Sequence, residues 1–212
     1  MQQFDLNLSS GLEKVSLPSD DVGEPEGAEI RFQNQFYDSS QVTDFYNVLY
    51  SMVDWQEESL WIAGRQRKVP RLIAWYGDPE ARYRYSGKVH HPEPWFEPLL
   101  SIKKKLETTL GCDFNSVLCN LYRHGEDSMG WHADDEAELG PKPVIASVSL
   151  GATRAFHLKH KKNPKLRHKM LLTSGSLLVM QGTTQQYWLH QVPKEPKVTK
   201  ARINLTFRHV IR

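Results

Sequence analysis

The hydrophobic and polar positions divide the chain into an early helical part and a later part made of short strands. Residues 28–36 alternate enough to predict a first strand. Apolar positions at helical spacing predict helices over 38–52 and over 92–110, and Gly111 would end the second helix. Beyond Gly111 turn residues separate six predicted strands, at 116–122, 144–150, 154–160, 169–172, 176–180 and 201–210. This order predicts an α+β domain with a β-sandwich or barrel core and helices on one side.

The length of the chain fits one domain. Its 212 residues, 39% of them hydrophobic, are enough to build one core, since domains commonly have about 100–200 residues. Residues 1–27 are polar, acidic and rich in turn formers, which predicts a flexible N-terminal extension before a domain at 28–212. Short strands and turns are expected between 60 and 85, where Gly64 and Pro70 interrupt the pattern.

Charge and cysteine usage exclude several classes of protein. The formal net charge is only +2, so the total charge does not indicate a nucleic-acid partner. Cys112 and Cys119 are the two cysteines, and their spacing fits neither a disulfide framework nor a cysteine zinc site. The first ten residues lack the features of a secretory signal, and no apolar run approaches the ~20 residues of a membrane span. We therefore expect a soluble cytoplasmic monomer with no membrane partner.

A His-x-Asp pair indicates a metal centre. In a strand, side chains two residues apart point to the same side, so His132 and Asp134 could face one ion. With a distant histidine such as His190, they would form a triad of two histidines and one carboxylate, which suits non-haem iron(II) and leaves positions for substrate and O₂. The pair alone is weak evidence, because a solvated loop can carry it by chance and the chain has nine histidines.

Polar side chains on two predicted strands strengthen this interpretation. The last strand presents four of them on one face, with apolar residues between: Arg202, Asn204, Thr206 and Arg208. A solvent-facing strand could show the same alternation. However, arginine binds carboxylates with two parallel hydrogen bonds, and Asn120 and Tyr122 provide a second polar face upstream. Together these six residues, the polar wall, predict a site for a small dicarboxylate beside the metal.

Taken together, these motifs resemble the AlkB family of iron(II)- and 2-oxoglutarate-dependent oxygenases, which oxidatively dealkylate nucleic-acid bases. The matching segments stand in the family's order, at 120–122, 132–136, 145–151, 190 and 202–208, within a resemblance that covers about 30–210. The resemblance implies a double-stranded β-helix (jelly-roll) core with supporting N-terminal helices. It also implies a nucleotide-recognition lid at about 58–90.

The resemblance further implies the cofactors and the reaction. Iron(II) would bind His132, Asp134 and His190, with O₂ as oxidant, and 2-oxoglutarate would lie against the polar wall. The family pattern gives Arg202 the distal carboxylate and Arg208 the end nearer the metal, although the residues alone do not order the two. The implied activity is demethylation of 1-methyladenine and 3-methylcytosine in DNA, with RNA as a second candidate. Formaldehyde, succinate and CO₂ would be released.

The implied substrate contacts lie in the lid and after the metal aspartate: Ala63, Gly64, Arg65, Arg71, Tyr83, Tyr85, Asp135 and Glu136. The tyrosines could stack on a flipped base, and the acids could read an exocyclic amine. The alternatives are tyrosines packed in the core and acids in a solvated loop. The duplex-specialised relative carries a bulky finger where this chain has Ala63, which is too small for that role. This difference argues against a strict preference for duplex DNA.

A basic hairpin is predicted around the turn residues Asn163-Pro164. It would provide phosphate contacts from five side chains: Lys159, Lys161, Lys162, Lys165 and Arg167. A solvated loop is the alternative.

The expected location is the cytoplasm, at the nucleoid in a bacterium, or the nucleus in a eukaryote. Two other functions stay open: the same chemistry on a protein or small molecule, and a jelly-roll that binds nucleic acid without chemistry. The intact triad and polar wall argue against the second.

Overall fold

The fold consists mainly of antiparallel strands. A computed structural model describes residues 11–17, 28–62, 65–85 and 88–211. The strands of the described residues are β1 (Glu13–Lys14), β2 (Glu29–Gln33), β3 (Gln56–Ile62), β4 (Arg65–Gly77), β5 (Tyr83–Tyr85), β6 (Lys88–His90), β7 (Ser116–Tyr122), β8 (Met129–His132), β9 (Ile145–Gly151), β10 (Arg154–His160), β11 (Arg167–Leu172), β12 (Leu177–Gln181), β13 (Trp188–Val192) and β14 (Arg202–Arg208). Their helices are α1 (Ser39–Met52), α2 (Leu99–Leu110) and α3 (Thr184–Tyr187), with a 3₁₀ turn at Ala137–Leu139.

Two sheets form the body of the domain. The major sheet has eight strands in the order β1-β2-β12-β9-β14-β7-β4-β3, and the minor sheet has four in the order β11-β10-β13-β8. Strands β5 and β6 pair as a separate ribbon. The non-sequential order of neighbouring antiparallel strands is that of a jelly-roll, so the predicted α+β class and core are confirmed.

The hydrophobic core has two layers, one on each face of the major sheet. On the outer face, Leu49 of α1 and Ile102 of α2 pack against strand residues such as Val148 and Leu205. On the inner face, residues of the major sheet pack against the minor sheet, as Leu178 does with Phe156 and its neighbours. Strand β14 lies between the two layers, so its apolar side chains face the helices and its polar side chains face the minor sheet.

Both predicted helices are present, with local sequence signals at their ends. The Asp38 side chain accepts the backbone N–H of Gln41, which closes a capping box at the start of α1. Helix α2 ends at Gly111, whose φ of 66° is favourable for glycine. It begins at Leu99 rather than at Pro92, because the prolines at 92, 94 and 98 disfavour helical backbone in the residues before them. No helix of the described residues is long and apolar enough to cross a membrane.

Two segments differ from the expectation. Residues 11–17 do not behave as a loose tail: Glu13–Lys14 pair with β2, and Val15 and Leu17 pack against the inner core. The expected short strands between 60 and 85 are the long hairpin β3–β4, whose second strand also pairs with β7. Pro70 does not break β4, because it lies at a register shift, where a missing N–H is tolerated. The domain and lid boundaries stay predictions.

Candidate metal centre and co-substrate pocket

Two neighbouring strands of the minor sheet bring the predicted triad together. His132 ends β8 and lies opposite His190 on β13, and Asp134 follows two residues later. Their candidate ligand atoms all lie within 4.8 Å of one another, and His190 Nε2 is 3.7 Å from Asp134 Oδ2. The expectation that one strand carries both His132 and Asp134 is wrong for Asp134. Its backbone N–H donates to Gln185 Oε1 (2.9 Å) instead of to a neighbouring strand.

The charges of the triad are those that a divalent metal requires. Burial, reinforced by the neighbouring His132, lowers the pKa of His190 to about 3, and burial also lowers the pKa of His132. Burial acts to raise the pKa of Asp134, but Arg208 and the two histidines outweigh it, so that the net shift is downward. Near neutral pH the site therefore offers two neutral imidazoles and one carboxylate, and this donor set fits iron(II).

Neighbouring groups fix the orientation of the triad. The Gly130 carbonyl accepts a hydrogen bond from His132 Nδ1 (2.8 Å), which leaves Nε2 of that ring without its proton. Phe156 stacks on the His190 ring with centroids 5.4 Å apart. The Arg208 guanidinium donates to Asp134 Oδ1, so Oδ2 is the oxygen turned towards His190. Three ligand atoms are thus oriented by groups that need not move when a metal binds.

A cavity between the sheets extends from the triad along the predicted polar wall. Every wall residue except Arg202 lines it: Asn120, Tyr122, Asn204, Thr206 and Arg208. Asn204 Nδ2 donates to Ser147 Oγ (2.7 Å), and Thr206 Oγ1 donates to Asn204 Oδ1 (3.1 Å). These bonds set the rotamers of the wall before any ligand is present.

Arg202 carries unsatisfied hydrogen-bonding capacity. Its side chain is 1% exposed, lies 5.2 Å from the centre of the Tyr122 ring and donates through Nη2 to Ser149 Oγ (2.9 Å). Nε and Nη1 are buried without a hydrogen-bond partner among the described residues. Burial lowers the pKa of Arg202 to about 10, which still leaves it charged at neutral pH. A buried cation with two unused donors fits a carboxylate, as 2-oxoglutarate would provide.

The predicted substrate residues fall into three groups. Arg71 is buried and donates to Asn120 Oδ1 (2.6 Å), so it lies against the polar wall. Asp135 and Glu136 are exposed, directly after the metal aspartate. Ala63 and Gly64 lie outside the described residues, as do the side chains of Arg65 at the start of β4 and of Tyr83 and Tyr85 on β5.

The predicted basic hairpin is the β10–β11 hairpin, and its cations have different surroundings. Lys159 lies 4.3 Å from the centre of the Trp131 ring, and Arg167 Nε donates to the Pro164 carbonyl (2.6 Å). Lys162 is near the Tyr187 ring at 5.9 Å, and Lys165 is exposed at the turn. The fifth cation, Lys161, forms an ion pair with Asp135 at 2.9 Å.

Sequence reasoning missed several residues that organise the site. Ser147 and Ser149 hold Asn204 and Arg202, and the alternation of small polar and apolar residues in β9 was the signal for them. Gln185, which holds the Asp134 backbone, lies on the four-residue α3, which is too short for periodicity to reveal. Arg154 is 1% exposed and lies 5.5 Å from the Tyr122 ring, on the side of β7 that faces the minor sheet.

Comparison with known proteins places these features in context. The family model of the 2OG-Fe(II) oxygenase superfamily matches residues 29–208. Alpha-ketoglutarate-dependent dioxygenase alkB homolog 3 of Bos taurus is 42% identical over 184 residues, which cover 82% of this chain and 64% of the relative. DNA oxidative demethylase ALKBH2 of Homo sapiens is 41% identical over 157 residues, covering 71% of this chain and 60% of the relative.

A relative from a plant and a solved structure extend the match. DNA oxidative demethylase ALKBH2 of Arabidopsis thaliana is 34% identical over 211 residues, covering 87% of this chain and 67% of the relative. The structure of OsALKBH1 superposes with a TM-score of 0.66 at 16% identity, covering 94% of this chain and all of that one, which supports the fold. The chain spans about half to two thirds of the length of the curated relatives it matches.

Proposed function

The chain belongs to the AlkB family within the 2OG-Fe(II) oxygenase superfamily, and from this premise we propose that it removes N-linked alkyl groups from DNA bases by oxidation. Enzymes of this family use iron(II), 2-oxoglutarate and O₂. The proposed substrates are 1-methyladenine and 3-methylcytosine, and the products are the repaired base, formaldehyde, succinate and CO₂. The relatives named as DNA oxidative demethylases support methylated DNA as the class of substrate.

One observation carries the proposal: a triad of two neutral histidines and a carboxylate lies at one end of the polar wall, and Arg202 lies farther along it. The triad fits iron(II), and the two unused donors of Arg202 fit the distal carboxylate of 2-oxoglutarate. A jelly-roll that only binds nucleic acid would need neither. A metal triad and an unpaired buried arginine along one polar wall therefore favour an enzyme over a binding module.

The residues of the chain have separable roles in this reaction. His132, Asp134 and His190 would hold the iron, and Arg202 would hold the far end of 2-oxoglutarate. Arg208 keeps Asp134 ionised and fixes one of its oxygens. Apolar residues such as Phe156 and Leu178 line the same cavity and exclude water from it. When bound, the metal, co-substrate and O₂ supply the oxidation of the alkyl carbon.

The surface around the triad fits a polyanion. Exposed Lys162 and Lys165 lie at the turn of the basic hairpin, and we assign them to phosphate contacts. Asp135 follows the metal ligand and is assigned to the exocyclic amine of the base.

Because the triad and the polar wall come from one chain, we propose a monomer. It would work where the cell keeps its DNA, at the nucleoid in a bacterium or in the nucleus of a eukaryote.

A turnover panel tests the proposal. Oligonucleotides carrying 1-methyladenine or 3-methylcytosine are offered as single-stranded DNA, duplex DNA and RNA, with iron(II) and 2-oxoglutarate, and demethylation is read by mass spectrometry. We expect wild type to demethylate single-stranded DNA and the Asp134→Ala variant to show no demethylation. Succinate formation without demethylation of any oligonucleotide would direct attention to protein or small-molecule substrates. Tight oligonucleotide binding without succinate would indicate a binding module.

A further inference from the structure

Lys161 is tied to the metal-binding end of the cavity, unlike the other lysines of the basic hairpin. Its Nζ donates to Asp135 Oδ2 (2.9 Å) and to the backbone carbonyl of Gln185 (2.9 Å). Its backbone N–H donates to the Tyr187 carbonyl (2.8 Å), which fixes the start of the turn. The Lys161 side chain is 28% exposed, against 58% for Asp135. This geometry directs the ammonium group towards Asp135 rather than outward to a phosphate.

The same contacts connect Asp135 to the frame of the metal centre. Gln185, whose carbonyl accepts from Lys161, also accepts the Asp134 backbone N–H through its side chain. Helix α3 therefore positions both aspartates through Gln185. Its side chain accepts the Asp134 backbone N–H, and its carbonyl holds Lys161, which pairs with Asp135. Asp135 Oδ1 accepts no hydrogen bond from the described residues, so one carboxylate oxygen is fixed and the other stays available.

We propose that Lys161 is a positioning residue that determines selectivity for the alkylated base by holding Asp135 at the mouth of the metal centre. The inference rests on the proposed function, because it assigns Asp135 Oδ1 to the exocyclic amine of the base. A hydrogen bond to a charged group discriminates strongly only when its acceptor is already oriented. A partly exposed ion pair of this kind contributes little to folding stability, so its main effect is on orientation.

A double-mutant cycle tests this role without turnover. Dissociation constants are measured by fluorescence anisotropy for single-stranded oligonucleotides with and without 1-methyladenine, in the presence of Mn(II) and 2-oxoglutarate. We expect Lys161→Met to reduce the preference for the methylated oligonucleotide by about 5–10-fold, and Lys161→Arg to retain most of it. Adding Lys161→Met to Asp135→Asn should cause no further loss. Lys104→Met, which removes an exposed lysine from α2, is the matched control and should leave the preference unchanged.

Two further measurements separate positioning from other roles. Hydrogen exchange of the 132–136 backbone should be faster in Lys161→Met, while the unfolding midpoint should hardly change. The salt dependence of binding should keep its slope, because no phosphate contact is lost.

Several outcomes would overturn the inference. These are additive effects of Lys161→Met and Asp135→Asn, unchanged hydrogen exchange, or a smaller salt slope. The wild-type protein separates this failure from that of the proposed function. If wild type demethylates no oligonucleotide in the turnover panel, the proposed function fails and this inference fails with it. If wild type demethylates them without binding the methylated oligonucleotide preferentially, only the inference fails. If wild type has the preference and Lys161→Met keeps it, only the inference fails.

Discussion

Replacing Arg202 by Met should abolish 2-oxoglutarate binding without lowering the stability of the ligand-free protein. The side chain is 1% exposed, and two of its nitrogens have no partner among the described residues. Removing them relieves about 1–3 kcal/mol for each unsatisfied donor. The change loses one charged hydrogen bond to Ser149 and the contact with the Tyr122 ring, together about 2–5 kcal/mol. The two effects nearly cancel, so the free energy of unfolding should stay within about 2 kcal/mol of wild type.

Arg154 is the matched comparison, because it is equally buried and lies near the same tyrosine ring. Its guanidinium donates to the Glu195 carboxylate (3.0 Å) and to the backbone carbonyls of Asp127 (2.9 Å) and Pro193 (2.6 Å). Arg154→Met would remove the donor from both carbonyls and leave Glu195 Oε2 with the Ala155 backbone N–H but without the guanidinium. The expected loss is about 3 kcal/mol, at the lower end for a broken buried pair because Glu195 is 30% exposed and can regain water.

Urea unfolding followed by tryptophan fluorescence gives the free energy of each variant in the presence of Mn(II), with and without 2-oxoglutarate. At a co-substrate concentration of 100 times Kd, wild type should gain about 2.7 kcal/mol, and Arg202→Met should gain nothing. If Arg202→Met proved as unstable as Arg154→Met, Arg202 would be a structural residue. Stabilisation of Arg202→Met by 2-oxoglutarate would refute its assignment to the distal carboxylate.

The remaining predictions concern the metal, the hairpin and the core. Asp134→Asn should weaken Mn(II) binding in titration calorimetry by at least about 100-fold, because it replaces an anionic ligand, and unchanged affinity would contradict the metal site. Lys162→Met and Lys165→Met should each reduce the slope of log affinity against log salt for single-stranded DNA by about 0.7. An unaltered slope would indicate that the hairpin is a solvated loop without phosphate contacts. Burial raises the pKa of the Cys119 thiol far above its usual range, so a thiol reagent should modify Cys119 only after unfolding. Labelling of Cys119 in the native protein would contradict the packing of β7.

How far the sequence could predict the site depended on the type of signal. The alternation in β14 was readable because one face meets the helices and the other meets the cavity, so polarity changes at every residue. In β9 most positions are buried on both faces, and the functional serines were not singled out. His190 is one candidate among nine histidines in the sequence, because the pairing of β8 with β13 that brings it to His132 is long-range.

Other features of the site depend on contacts that no local pattern encodes. Asp134 leaves the strand geometry because Gln185, far along the chain, accepts its backbone N–H. In the sequence, Lys161 is one cation in a run of basic residues. Its ion pair with Asp135 is visible only in the folded chain. Both contacts join residues that are far apart along the chain, and composition and spacing carry little information about such contacts.

Strand β8 is the last strand of the minor sheet, and within the described part of the chain it pairs with β13 alone, through a ladder whose register shifts between His190 and Val192. Such an edge is the part of a sheet that opens most easily. The ligand set takes one histidine from each strand of this pair. A bound ion would therefore link the two strands and stabilise this edge of the minor sheet. Iron supply would then govern the lifetime of the protein as well as its chemistry: in iron-poor cells the open edge would be the first place for a protease to cut.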